Sequence, residues 1–276
     1  MNRSRNLNYR NGTLQYQISG KGKNLILLHG FGEDSRVWEK QIPILEDNCR
    51  IVIPDLPGSG HSDYIPGLKS MEDYADAIHA IVQQENISDL IMIGHSMGGY
   101  ITLAFVEKYP DLVSGFGLFH SSAYADDDEK KETRKKGIEF IQKHGAGKFL
   151  AESIPNLFSD ETKNSNPDLV SGFIDRYQNF SADALVQYYE AMIRRPDRTQ
   201  ILRETEKPVL FILGEHDTAV PFQKGLEQAG LPGICYIHIC KHSAHLGMLE
   251  EPDFCNKALT EFISSDLLQH RDIGIT

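Results

Sequence analysis

Four cysteines in 276 residues (Cys49, Cys235, Cys240 and Cys255) are too sparse for a disulfide framework, and none pair in a Cys-x-x-Cys pattern. They read as free thiols in a reducing compartment, so a cytoplasmic protein is expected. No apolar run approaches the length of a membrane span. The opening stretch from Met1 to Asn6 has basic residues but no apolar segment behind them, so it is not expected to be a secretory signal. Positive charge is also short: 28 Lys and Arg stand against 39 Asp and Glu, a formal net charge of -11. Phosphate backbones and anionic lipid surfaces repel such a chain, so neither nucleic acid nor a membrane is an expected partner. Repeats, heptads and low-complexity stretches are absent. There is no Gly-Lys-Ser/Thr to make a P-loop, and Gly58-Ser59-Gly60 lacks the third glycine and the helix start of a dinucleotide site.

What is present suits a sizeable core. Hydrophobic residues make up 40% of the chain, which rules out disorder. The length suits one large α/β domain, or a core domain with an insert. Polar–apolar alternation from Gly12 to Ser19 reads as a half-exposed strand. Short apolar runs at Leu25–Leu28, Arg50–Pro54, Leu90–Ile93, Val113–Phe119, Pro208–Leu213 and Ile234–Ile239 read as strands, the continuous ones buried on both faces. Helical stretches are expected around Val37–Leu45, at Ser70–Gln84 with Ser70 as N-cap, at Tyr100–Tyr109 and at Pro252–Ser264. Strands alternating with helices imply an α/β fold with a mostly parallel sheet covered on both sides.

The alternation breaks once. From Phe119 to Pro208 no strand pattern occurs, and helices are expected at Asp128–Lys143, Gly147–Ser153, Pro167–Gln178 and Ala182–Arg194. That stretch is too long for a loop. It is expected to be a helical cap over residues 121–205, inserted into a core formed by residues 1–120 and 206–276. Its charged opening, Asp126 to Glu132, reads as a solvated helix face.

In open parallel sheets, ligands bind beyond the carboxyl ends of the strands. The residues just after each strand are therefore the informative ones. After Leu90–Ile93 comes Gly94-His95-Ser96-Met97-Gly98-Gly99, followed by a helix. Glycines two positions either side of a serine, between strand and helix, allow the sharp turn that lifts a nucleophile out of a sheet. After Leu25–Leu28 comes His29-Gly30-Phe31-Gly32, whose glycines let the Phe31 N–H approach a ligand as an oxyanion donor. After Arg50–Pro54, the segment from Asp55 to Ser62 reads as a structural turn. After Pro208–Leu213 come two candidate orienting carboxylates, Glu215 and Asp217. After Ile234–Ile239 come two candidate bases, His242 and His245. Cys235, His238, Cys240, His242 and His245 lie close in sequence, but strand alternation puts Cys235 on the opposite face from His238 and Cys240. No metal is expected there.

These blocks together resemble the α/β-hydrolase superfamily. His29-Gly30-Phe31-Gly32, the run Asp55 to Ser62, Gly94 to Gly99, Gly214-Glu215-His216-Asp217, and His245 with Glu250-Glu251-Pro252 after it fall in that superfamily's order and cover most of the chain outside the cap. The branch resembled contains small esterases, enol-lactonases, cofactor-free haloperoxidases and C–C bond hydrolases. The resemblance implies a nucleophile at Ser96, a base at His245 and an orienting acid at Asp217, with the N–H groups of Phe31 and Met97 as oxyanion hole. Some members place the acid after the strand that follows the nucleophile. Here His120-Ser121-Ser122 stand at that point, with no acid before Asp126. Haloalkane dehalogenases and related epoxide hydrolases carry aspartate where this chain has Ser96, so they are excluded.

The implied reaction is hydrolysis of a small or medium, largely apolar ester or lactone through an acyl-enzyme, without metal or organic cofactor. The alternatives are a small-molecule receptor with an intact triad, and C–C bond hydrolysis or perhydrolysis by the same triad. Trp38, Phe119 and Tyr124 are expected to line the pocket, while cap aromatics such as Phe140, Phe149, Phe158 and Tyr188 are expected mostly to pack within the cap. The expected partner is a small-molecule substrate, with a homodimer as the candidate assembly.

Overall fold

A computed structural model describes residues 3–268. Met1 and Asn2, and residues 269–276 of the expected core, lie outside the described residues. Eight strands form one sheet: β1 (Arg3–Tyr9), β2 (Gly12–Gly20), β3 (Lys23–Leu28), β4 (Cys49–Pro54), β5 (Leu90–His95), β6 (Val113–Phe119), β7 (Val209–Gly214) and β8 (Cys235–Cys240). Their spatial order is β1-β2-β4-β3-β5-β6-β7-β8. β2 runs antiparallel to both neighbours, and every pairing from β4 to β8 is parallel.

Burial follows from that order. The inner strands β3, β4, β5, β6 and β7 are covered on both faces; β3, β4, β5 and β7 carry short continuous apolar runs, while β6 interleaves Phe116 and Leu118 with Gly115 and Gly117. The edge strand β1 is exposed along most of its length. Its sequence, Arg-Ser-Arg-Asn-Leu-Asn-Tyr, turns only Leu7 and Tyr9 toward the core, too few for periodicity alone to reveal it. Pairing with β2 defines it, in register from Arg3 opposite Ile18 to Tyr9 opposite Gly12.

Helices pack on the sheet: α1 (Ile42–Leu45), α2 (Met71–Gln84) and α3 (Met97–Lys108). The expected Val37–Leu45 helix is instead a 3₁₀ turn at Ser35–Trp38 followed by the single turn of α1. Pro43 is the cause: it has no N–H for a carbonyl four residues back, and its ring obstructs a helix arriving from Val37. Ser70 does cap α2, its hydroxyl accepting from Asp73 N–H at 3.3 Å while the Asp73 carboxylate accepts from Ser70 N–H at 3.1 Å.

Six helices separate β6 from β7: α4 (Asp128–His144), α5 (Ala146–Ser153), α6 (Asp160–Ser165), α7 (Pro167–Tyr177), α8 (Ala182–Arg194) and α9 (Thr199–Glu204). Four lie where helical spacing puts them. The short α6 and α9 carry too few apolar positions to show a period. α10 (Phe222–Ala229), α11 (Gly247–Glu250) and α12 (Pro252–Ile263) complete the α-helices of the described residues. Among the described residues no helix is long and apolar enough to cross a membrane.

The six-helix segment is fastened to the sheet domain by polar contacts as well as apolar packing. The Tyr188 hydroxyl donates to Pro57 O at 2.8 Å and accepts from Ser59 Oγ at 2.7 Å. Gln187 donates to Ile65 O at 3.2 Å, and Arg198 pairs with both Glu72 and Glu107. The turn Asp55 to Ser62 is thus the seat for α8. Gly58 is needed there: its φ is 92°, and a Cβ would stand 2.7 Å from Ala184 Cβ.

Candidate active site

The strand order reverses around β3. The chain goes from β3 outward to β4, then crosses back to β5 on the other side. The crevice that opens at such a reversal lies beyond the ends of β3 and β5, where Phe31 and Ser96 sit. Ser96 caps α3 with φ 49° and ψ -116°, a left-handed, strained backbone for a residue with a side chain. The glycines make room for it. A Cβ on Gly94 would collide with the Gly98 backbone, and one on Gly98 would lie 2.6 Å from Leu28 O.

The Ser96 hydroxyl is 2.9 Å from His245 Nε2, and His245 Nδ1 is 2.7 Å from Asp217 Oδ2. These three residues come from the ends of β5, β8 and β7, and the parallel pairing brings those ends together. The other Asp217 oxygen accepts from the Ala219 and Val220 amides at 2.8 and 2.9 Å. Burial alone would raise the Asp217 carboxyl. His245, His120 and the Val220 amide outweigh it and hold it below the usual carboxylate range. Of the rival residues, Glu215 is exposed and His242 pairs with Glu161 at the surface.

The Phe31 loop lies against the serine: a Cβ on Gly30 would be 3.1 Å from Ser96 Cβ. The Met97 N–H stands in the first turn of α3, where no intrahelical acceptor exists. Among the described residues, the Phe31 N–H has no backbone acceptor.

Two buried histidines were not singled out from the sequence. His95 Nδ1 is 2.9 Å from Glu33 Oε2, and its Nε2 is 2.9 Å from His245 O. Both ring nitrogens face acceptors, so the imidazolium form satisfies both. Burial lowers the His95 pKa, but Glu33 and the His245 carbonyl raise it further, and the net direction is upward. Glu33 also accepts from Gly30 N–H at 2.8 Å. One ion pair therefore ties the Phe31 loop to the backbone of His245. A carboxylate directly after His29-Gly30-Phe31-Gly32, with a histidine directly before Ser96, is the signal in the sequence. His120 follows β6 and has φ 45°. Its Nε2 accepts from Gly247 N–H at 3.1 Å, so its proton sits on Nδ1, 3.6 Å from Asp217. Burial drives its pKa far down and keeps it neutral.

Comparison with known proteins gives the same picture. A family model described as the alpha/beta hydrolase fold matches residues 23–134. A thermophilic esterase from Thermogutta terrifontis, solved with malate bound, superposes with a TM-score of 0.87 at 28% identity, covering 91% of this chain and 93% of that one. The chain has the α/β-hydrolase fold. An uncharacterised hydrolase of Bacillus subtilis is 25% identical over 90% of this chain and 92% of its own. Pyrrolizixenacetamide deacetylase of Xenorhabdus hominickii is 25% identical over 92% and 95%. Fold and relatives together support a hydrolase.

The crevice is a cavity of about 170 Å³ that contains Ser96 and His245. Phe31, Leu150, Ile154, Leu157, Phe173, Met192 and Val220 give it apolar walls, with Lys130, Arg134 and Tyr100 among the other lining residues. Phe31 stacks on Tyr189 with ring centroids 4.2 Å apart. The expected lining needs correction. Trp38 and Phe119 are wholly buried and pack edge-to-face at 5.4 Å, with Phe119 against His95 and His120. They form the floor beneath the site. Phe119 is the last residue of β6, and its ring is spent on the core. Tyr124 lines a neighbouring groove with Asp127, Pro221 and Lys224, and its hydroxyl reaches Glu227. Phe140, Phe149 and Phe158 pack on other residues of the helical segment, and Phe149 also meets Phe31.

The charged opening of the segment also departs from expectation. Asp126 is buried, not solvated. It accepts from Arg134 Nε at 2.6 Å and pairs with Arg195 at 2.9 Å. Its partners come from 8 and 69 residues further on, out of reach of local spacing.

Proposed function

We propose that the chain is a serine hydrolase acting on a small or medium carboxylic ester or lactone. The observation that carries this reading is the relay from Ser96 to His245 to Asp217, opening into a cavity with apolar walls. His245 Nε2 takes the hydroxyl proton as Ser96 Oγ attacks the ester carbonyl carbon. Asp217 holds the imidazole in the tautomer with its proton on Nδ1 and stabilises the charged ring. The Phe31 and Met97 amides receive the developing oxyanion, and the first turn of α3 adds its positive end. The C–O bond then breaks, and the alcohol leaves with the proton from His245. Water, deprotonated by His245, attacks the acyl carbon, the bond from that carbon to Ser96 Oγ breaks, and Oγ takes the proton back from His245 as the acid leaves. These steps use only side chains, backbone amides and water.

Residues 121–205 act in this reading as a cap that closes the cavity from water. Its 3₁₀ turn at Ile154–Leu157 supports that role, since the His245 N–H donates to Leu157 O at 2.9 Å. The test is a panel of p-nitrophenyl esters of graded acyl length. The expected result is many turnovers per protein molecule, lost in Ser96→Ala while thermal stability is retained. A single slow cycle leaving a trapped adduct would instead indicate a small-molecule receptor.

A further inference from the structure

The cavity has one end that ester hydrolysis by Ser96 does not explain. Tyr100 lies one turn along α3 from the nucleophile, about 6 Å further along the helix axis. It is 4% exposed and faces the cavity, and among the described residues its hydroxyl has no hydrogen-bond partner. Lys130 and Arg134, one turn apart on α4, line the same space. Behind them the Arg195 guanidinium lies 3.9 Å from the Tyr100 ring centroid.

The charges there do not balance. Arg134 and Arg195 share one carboxylate, Asp126. Lys130 Nζ donates to a carbonyl, Ala219 O, at 2.7 Å, and among the described residues it has no acidic partner. The cavity's other acids are committed: Glu33 to His95, and Asp217, just behind, to His245. Lys130, Arg134 and Arg195 thus have one carboxylate, Asp126, between them, and that one is taken up by the two arginines. Charge left unpaired away from water is costly, and an anion from outside relieves it. The field shows on Tyr100 itself. Burial raises its hydroxyl, but Arg195, Lys130 and Arg134 outweigh burial and hold it below its usual value.

We propose that Lys130, Arg134 and Tyr100 form a subsite for a carboxylate carried by the substrate, so that the preferred ester is anionic rather than neutral. This rests on the reading of Ser96 as the nucleophile of an ester hydrolase and names the substrate class of that site. The carboxylate accepts charge-assisted hydrogen bonds from the Lys130 ammonium and the Arg134 guanidinium, and a further hydrogen bond from the Tyr100 hydroxyl. The ester end reaches Ser96 across the apolar wall formed by Leu150 and Met192.

The experiment compares matched esters. Mono-p-nitrophenyl succinate, glutarate and adipate put the carboxylate on the acyl arm. 4-Carboxyphenyl butyrate puts it on the leaving group. p-Nitrophenyl valerate and phenyl butyrate are the neutral references. The expected result is a kcat/KM at least about tenfold higher for one anionic series than for its neutral match, since one charge-assisted hydrogen bond accounts for about 10- to 100-fold. In Lys130→Met and Arg134→Met that ratio should collapse toward one. Arg134 also holds Asp126, so Lys130→Met is the variant that stays informative if Arg134→Met does not fold.

Calorimetry on Ser96→Ala gives a readout without turnover: glutarate should bind at least about tenfold tighter than glutaramide. Equal rates for charged and neutral esters, a ratio unchanged in Lys130→Met, or equal binding of glutarate and glutaramide would overturn the proposal. Turnover of neutral esters that vanishes in Ser96→Ala, with no anionic preference, sinks the subsite and leaves the ester hydrolase standing. Absence of turnover on every ester sinks the hydrolase reading, and the calorimetric comparison still decides the subsite.

Discussion

Asp217 and Glu33 show how a single buried carboxylate is placed by its partners. Asp217→Asn keeps the shape of the side chain but can donate to His245 Nδ1, which favours the wrong tautomer. On the proposed mechanism kcat on p-nitrophenyl esters should fall by up to about 10⁴, the size of the same change in a serine protease. Near-full activity would point to another acid. Glu33→Gln tests the ion pair with His95. The Glu33 carboxyl is held down because His95 and the Gly30 amide overcome its burial, so its contribution is present above the ordinary carboxyl value of 4.5 and lost on acidification below that. The His95 pKa is raised, so its contribution is complete below 6.5 and fades as pH rises through the folded value. The two windows overlap between those values. Urea denaturation at several pH values should show the wild type exceeding Glu33→Gln by about 3–5 kcal/mol near pH 5.5, with a smaller gap on the alkaline side. A gap that does not vary with pH would mean that His95 is neutral.

At the scale of elements, the strand-to-helix turn at Ser96 depends on close approach of backbones. Gly98→Ala puts a methyl 2.6 Å from Leu28 O and 2.7 Å from His29 O, at the end of β3. Either α3 or the Phe31 loop must move. The expected cost is about 3 kcal/mol of stability by thermal denaturation, and on the proposed function hydrolysis of p-nitrophenyl esters should fall more than the loss of folded protein explains. Much of this turn could be read in advance. The apolar run of β5, the paired glycines and the helix after them are local, and each follows from the conformations its residues allow. β1 could not be read, because a polar edge strand is defined by its neighbour and not by its own pattern. α6 and α9 were missed for a related reason: six residues are too few for a period to show. The site divides the same way. Ser96, Asp217 and His245 are candidates because each follows a strand, but Glu215 and His242 follow the same strands, and it is the tertiary geometry that brings Asp217 and His245 to Ser96. Trp38, Phe119 and Tyr124 were misplaced because an aromatic near the site can fill the core, the cavity or the surface, and local sequence does not say which.

For the whole molecule, the segment between β6 and β7 and the sheet domain share one continuous apolar core. They are also joined by the buried Arg198 and by the Tyr188 and Gln187 contacts. A single cooperative thermal transition is therefore expected. The chain's single tryptophan, Trp38, makes this easy to test, because it is wholly buried in the sheet domain. Its fluorescence reports that domain, while far-UV circular dichroism is weighted toward helices, many of which lie in the segment. The two curves should coincide. Ellipticity lost several degrees before tryptophan emission changes would show the segment unfolding on its own.

The sequence alone determined which residues could do chemistry, since turn glycines, apolar runs and the residues after them are dictated by local backbone sterics and burial. It excluded a P-loop and a dinucleotide site by the same local rules. Only the tertiary structure decided what those residues meet. It paired His95 with Glu33, buried Asp126 between two arginines, and turned Lys130 and Tyr100 toward the cavity. Those pairings join positions far apart in the chain, and whether a charge is solvated or buried depends on what packs over it, which no local spacing encodes.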